Sequence, residues 1–191
     1  MLSRHFLFFV LCGIVLIASG CSQDKQARRV DPSDRDPAAA TRLVEQGIKH
    51  LQQDDLEQAR IAFESATERD VFSGIAHNNL GHVYFAQGNF YAAARQFQHA
   101  SRLMPYQPEP TNNLGLVFET VGKYNDSIAY YEQAVHQRPG DPRLLGNLCR
   151  ARIRRGDRDE QTRLLLADLV LHETRLPWRV WAQKQLRLLG S

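Results

Sequence analysis

Gly47, Gly81 and Gly115 stand 34 residues apart, and the residues around them keep the same step. Ala59, Ala93 and Ser127 follow it, as do Phe63, Phe97 and Tyr131, and Ala66, Ala100 and Ala134. Gly88, Gly122 and Gly156 form another column, and Pro105 and Pro139 another. The next step from Gly115 lands on Cys149, again a small residue. A fixed period of this length restricts the fold more than composition does. Each unit buries too little on its own and must stack on its neighbours.

One unit can be read physically. Leu80, Gly81 and Tyr84 fall on neighbouring faces of a single helix, because residues three and four apart adjoin. Gly88 offers the left-handed residue that ends it. Ala93, Phe97 and Ala100 then repeat at helical spacing, and Pro105 closes the unit. The small residues let two backbones approach, and Tyr84 and Phe97 fill the gap. Asp36-Pro37 and Asp141-Pro142 read as a cap plus first turn for units one and four. No run of alternating β-branched residues suggests a sheet.

These residues resemble the tetratricopeptide repeat. The resemblance covers Leu80-Gly81, Tyr84, Ala93, Phe97, Ala100 and Pro105, then Leu114-Gly115, Phe118, Ser127, Tyr131, Ala134 and Pro139. Unit one is fainter, with Gln46 and His50 in place of Leu and Tyr. Unit four keeps Leu148, Gly156 and Leu165 but departs at Arg152, Gln161 and Asp168. The family's Trp is absent, and Leu43, His77, Thr111 and Leu145 hold its place. The resemblance implies an all-α fold, a right-handed α-solenoid of three to four helix-turn-helix units. We expect the solenoid over 39–175, in units of about 40–73, 74–107, 108–141 and a degenerate 142–175. Residues 176–191 are expected to form a capping helix with Trp178, Ala182 and Leu189 inward, Trp181 and Leu188 beside them, and Arg179, Gln183 and Arg187 wet. A membrane-surface helix is the alternative for this segment.

Residues 1–20 read as an address. Arg4 gives a basic start, and Phe6 to Ala18 is an apolar run too short to cross a bilayer with ease, which takes about 20 residues. Ala18-Ser19-Gly20 then precede Cys21. This resembles the bacterial lipoprotein signal, and the resemblance implies that Cys21 is lipidated and begins the mature chain. An ordinary cleaved signal and an uncleaved anchor are the alternatives. Residues 21–38 are polar, carry both signs of charge and read as a tether. Ser22 resembles an outer-membrane sorting choice, so the expected location is the cell envelope, facing the periplasm in an organism with two membranes. With Cys12 removed and Cys21 lipidated, only Cys149 remains, a packed thiol with no disulfide partner.

Charge is unevenly spread. Residues 138–191 hold twelve Lys and Arg against six Asp and Glu, and residues 1–137 hold twelve against fifteen. Arg143, Asn147, Arg150 and Arg154 recur on one face of the first helix of unit four. By resemblance to the family that face lines a groove, continued by Asn78, His82 and Phe85 and by Glu109, Asn112, Leu116 and Glu119. The candidate partner-binding residues are therefore Asn78, His82, Phe85, Asn112, Leu116, Arg143, Asn147, Arg150 and Arg154. Some relatives clamp a partner's C-terminal carboxylates with Lys and Asn in one unit, Asn in the next and two basic residues in the third. Asn113 and Arg143 match that set, whereas Asn78, His82 and Asn147 do not complete it. A weaker preference for acidic segments follows, since Arg pairs well with carboxylates. A solvated face is the bland alternative.

Catalytic motifs are lacking. There is no His-Glu-x-x-His, Cys-x-x-Cys or Gly-x-Ser-x-Gly, and Gly122-Lys123-Tyr124 does not make a phosphate loop. No enzyme, cofactor or metal site is expected, and the acidic N-terminal part disfavours nucleic acid. The reading is a lipid-anchored scaffold or adaptor that binds a protein or peptide in the bacterial envelope. The alternatives are a non-lipidated assembly or chaperone-like factor and an accessory subunit of an envelope enzyme.

Overall fold

The computed structural model describes residues 35–190, which form nine helices and no strand. Cys21, the signal segment and most of the tether lie outside the described residues. The helices are α1 (Pro37–Gln52), α2 (Leu56–Arg69), α3 (Gly74–Ala86), α4 (Phe90–Leu103), α5 (Pro108–Thr120), α6 (Tyr124–Gln137), α7 (Pro142–Arg155), α8 (Glu160–His172) and α9 (Leu176–Leu189). Each packs on its neighbours in the chain, and odd-numbered helices also touch at α1–α3 and α5–α7. This is a stack of helix pairs in an all-α solenoid. No described helix is long and apolar enough to cross a membrane.

Side chains cap most of the starts. Asp36, Asp55, Ser73, Asn89, Asp141 and Asp159 each accept a backbone N–H from the first turn that follows. Pro37 and Pro142 sit just inside α1 and α7, where a missing N–H is no loss. Gly88, Gly122 and Gly156 take positive φ between the paired helices. The same column begins with Asp54 at φ 58°, a non-glycine residue in left-handed conformation.

The period is enforced by one contact repeated three times. A Cβ built on Gly47 would lie 2.5 Å from the Phe63 ring, on Gly81 2.6 Å from Phe97, and on Gly115 2.6 Å from Tyr131. The aromatic ring of the second helix occupies the space a side chain on the first would need. Unit four has Leu165 where the ring would be, and there the glycine column holds Cys149, packed among Leu145, Leu166, Leu169 and Ala182. One step further the column reaches Gln183 on α9, flanked by Arg179 and Arg187, all three exposed. The opposite side of α9 sends Ala182, Leu186 and Leu189 into the last core cluster. α9 thus stacks like the first helix of another unit, and the face where its own partner would go mixes Arg179, Gln183 and Arg187 with exposed Leu176 and Val180. Charge and amide groups there would be costly to bury.

Candidate functional site

The nine candidate residues lie on odd-numbered helices: Asn78, His82 and Phe85 on α3, Asn112 and Leu116 on α5, and Arg143, Asn147, Arg150 and Arg154 on α7. None of their side chains is fully buried. They are brought onto one continuous face, and bonds between units stitch that face together. Asn113 donates its amide to Asn78 Oδ1 at 3.1 Å and lies 3.1 Å from His82 Nε2. Asn147 donates to Asn112 Oδ1 at 2.8 Å. Both asparagine pairs link residues 35 apart, so they are equivalent rungs between successive units. The His82 ring meets Phe97 edge-on at 5.2 Å. His82 is exposed, yet the neighbours packed around its ring lower its pKa by desolvation. Phe85 packs edge-on against Phe90, which ties it to a core cluster as well as to the face. Leu116 is half-buried between the rungs.

The basic end differs from the sequence expectation in one respect. Glu119 does not line the groove. It is buried, with a side chain 1% exposed, and serves as counterion to two of the arginines. Arg150 donates to Glu119 through Nε at 2.8 Å and a terminal nitrogen at 2.7 Å, and Arg154 donates at 3.0 Å. Tyr131 adds its hydroxyl at 2.8 Å. Burial alone would raise the Glu119 pKa, but the bonds and charge of Arg150, with help from Tyr131 and Arg154, hold it below the ordinary carboxylate value. Burial and the Glu119 charge push the Tyr131 phenol upward. Arg143 faces solvent near Asp141 at 3.2 Å and Glu109 at 3.7 Å.

A second buried charge explains a departure from the repeat pattern. Arg152 stands where Tyr84 and Phe118 stand in earlier units, and its side chain is 6% exposed. Tyr84 donates to Glu64 at 2.6 Å, and Arg152 donates to Glu132 at 2.7 Å, each reaching 20 residues back to the preceding helix pair. The substitution keeps the same bond with a different donor. Asp157 and Asp159, each 3.7 Å away, complete the charge balance. His77 stacks on His99, with ring centroids 5.2 Å apart, and bonds Gln96 and the Val71 carbonyl. Among the described residues no group of three or more His, Cys, Asp or Glu gathers as a metal site.

Models of the family described as tetratricopeptide repeat match residues 72–137 and 112–172. An uncharacterized protein of Haemophilus influenzae is 29% identical over 98 residues, covering 51% of this chain and 55% of its own length. The chain thus spans about half the length of that curated relative. The first tetratricopeptide domain of Spaghetti (RPAP3), bound to the HSP90 peptide SRMEEVD, superposes with a TM-score of 0.62 at 18% identity, over 65% of this chain and 98% of that one. The MamA protein superposes at 0.65 with 22% identity, over 72% of this chain and 74% of that one. At these identities the two structures speak for the fold.

Proposed function

We propose that this chain of tetratricopeptide repeats is a non-catalytic scaffold that receives a segment of a protein partner along the face of its odd-numbered helices. The observation that carries this is the polar, solvent-reached face of α3, α5 and α7, preorganised by the Asn78–Asn113 and Asn112–Asn147 rungs. A preformed face loses less entropy on binding than a mobile one. The RPAP3 domain, bound to a peptide ending in acidic residues and Val-Asp, supports a peptide partner by analogy. We further propose that the chain is anchored in the cell envelope by lipid on Cys21, on the strength of Ala18-Ser19-Gly20-Cys21 after an apolar run.

Affinity capture from detergent-solubilised membranes tests both parts. Replacing Leu116 and Arg143 together by Glu should release the principal partner, while Leu171→Glu, on an exposed position of α8, should retain it. Retention by the double variant would overturn the assignment of the face. Reversing Arg150 and Arg154 is a poorer test, because it also strands the buried Glu119. Cys21→Ser should shift the protein to a soluble or unprocessed form, and a native mature mass without acyl groups would overturn the anchor.

A further inference from the structure

We propose that the junction of α7 and α9 is a specificity notch for a peptide in which one large apolar side chain lies next to a carboxylate. The proposal rests on the odd-helix face being the partner surface, and it adds a site on a helix that sequence reasoning treats as a cap or a membrane-surface helix. α9 begins 34 residues after α7, so Pro177, Trp181 and Lys184 continue on it the row formed by Arg143, Asn147 and Arg150. The face therefore changes character at its C-terminal end, from amide and guanidinium to indole and pyrrolidine.

The apolar requirement comes from the walls. A notch of about 240 Å³ is lined by Arg150, Pro177, Trp178 and Trp181. That is less than a small-molecule site commonly offers and suits a single side chain. The indoles meet edge to face, 5.7 Å apart at 73°. Trp178 packs over Gly146 of α7, where an added Cβ would meet the ring at an ordinary 3.6 Å. The guanidinium carbons of Arg150 and Arg175 lie 5.8 Å and 5.6 Å from the Trp178 ring, fixing it further. The aromatic wall is therefore rigid and open at Trp181, which is only half-buried. Rigid, partly exposed indoles lose little entropy when they take a ligand group, which is why they anchor many interfaces.

The acidic requirement comes from an inside-out arrangement of charge. The carboxylates that balance the local arginines are buried, Glu119 at 1% and Glu173 at 0% side-chain exposure. Of their partners, Arg150, which lines the notch, is 22% exposed, and Arg175 is 47% exposed. Residues 174–190 include Arg175, Arg179, Lys184 and Arg187 and no Asp or Glu. A ligand approaching the notch meets only the cationic side of each pair. Guanidinium groups have five donors and can bond a second carboxylate without leaving the first.

The full chain has two Trp, Trp178 and Trp181, so indole emission reports on this notch directly. The probe is the synthetic peptide Asp-Glu-Phe-Glu-Asp. Its controls carry Ala in place of Phe, or Asn and Gln in place of the acids. With the full-length protein in detergent, the probe should change the emission saturably with Kd below about 1 mM, and each control should bind at least about ten-fold more weakly. Lys184→Glu should weaken the probe several-fold and Trp181→Ala should abolish its binding; both are checked for an intact helical melt. Should Trp181→Ala fail to fold, Lys184→Glu decides, since it lies on an exposed position. Failure to saturate, equal affinity for the Ala control, or indifference to the deciding variants overturns the notch. Anisotropy of a labelled probe separates the two readings. Binding lost in the Leu116 and Arg143 double variant but kept in Trp181→Ala leaves the face and removes the notch. Binding kept in every variant removes both.

Discussion

Tyr131 donates its hydroxyl to Glu119 at 2.8 Å, and the carboxylate so fixed receives Arg150 from the following unit. Unit three is the one place where the interhelix ring is Tyr rather than Phe63 or Phe97, and it is the place where a carboxylate is buried within reach. The extra oxygen helps convert a buried charge into a satisfied one.

Removing that charge should be costly. Glu119→Gln leaves Arg150 and Arg154 without their anion, and loss of one partner of a buried pair costs about 3–5 kcal/mol. Tyr131→Phe keeps the ring and should cost about 0.5–1.5 kcal/mol. The pH dependence follows from sign. The folded Glu119 pKa lies below its ordinary 4.5, so its contribution is fully present above pH 4.5 and disappears as pH falls through the folded value. Urea melts of the wild type and Glu119→Gln should converge in acid, and a stability gap independent of pH would refute the assignment.

Two glycines on successive odd-numbered helices should respond oppositely to the same change. Gly115→Ala puts a Cβ 2.6 Å from Tyr131 and should destabilise by about 1–3 kcal/mol, with Gly81→Leu at least as severe against Phe97. Gly146→Ala meets Trp178 at an ordinary 3.6 Å and should stabilise α7 by about 0.5–1 kcal/mol through helix propensity. Thermal melts decide; a destabilised Gly146→Ala would show that α9 sits closer to α7 than described.

The turn column gives a third pair. Asp54 holds φ 58° where later units use glycine, so Asp54→Gly should stabilise by up to about 1 kcal/mol as left-handed strain is relieved. Gly88→Ala, at φ 76° with open space around it, should lose about 1 kcal/mol from backbone conformation alone. Chemical denaturation of both variants is the measurement, and equal effects would reject the strain argument.

Cys149 should be inert in the folded protein. Burial pushes its thiol up to about 12, far from the reactive range. In a chain with both Cys12 and Cys21 replaced by Ser, thiol reagents at pH 8 should label Cys149 only at the rate of unfolding. Rapid labelling without denaturant would place it at the surface.

The period carried most of the fold in the sequence. Glycine and aromatic columns 16 residues apart, such as Gly81 and Phe97, report a packing contact directly, because steric exclusion leaves a residue-type signature at both positions. The candidate face was legible for the same reason, as Asn78, Asn112 and Arg143 inherit their placement from the repeat. Glu119 was not. A charged residue on a helix reads as wet, and the partners that bury it lie 31 and 35 residues onward in another unit. Arg152 was opaque too, since its closest acid, Glu132, comes from the preceding unit and only stacking brings it to the Asp157 and Asp159 of the adjoining loop. The aromatic notch escaped because Trp178 and Trp181 read as cap packing. Their second role depends on α9 repeating the register of α7, which the sequence there no longer advertises.

The column Gly47, Gly81, Gly115, Cys149, Gln183 also bears on growth. A helical stack has no geometric reason to stop, since each added pair presents the next docking surface. Here the surface is changed in two stages, first by trading the aromatic ring for Leu165 and then by placing Gln183 between Arg179 and Arg187. The result is a mixed surface, in which Arg179, Gln183 and Arg187 stand beside exposed Leu176 and Val180. A further layer, including one offered by a second copy of the chain, would have to dehydrate two guanidinium groups and an amide before it could dock.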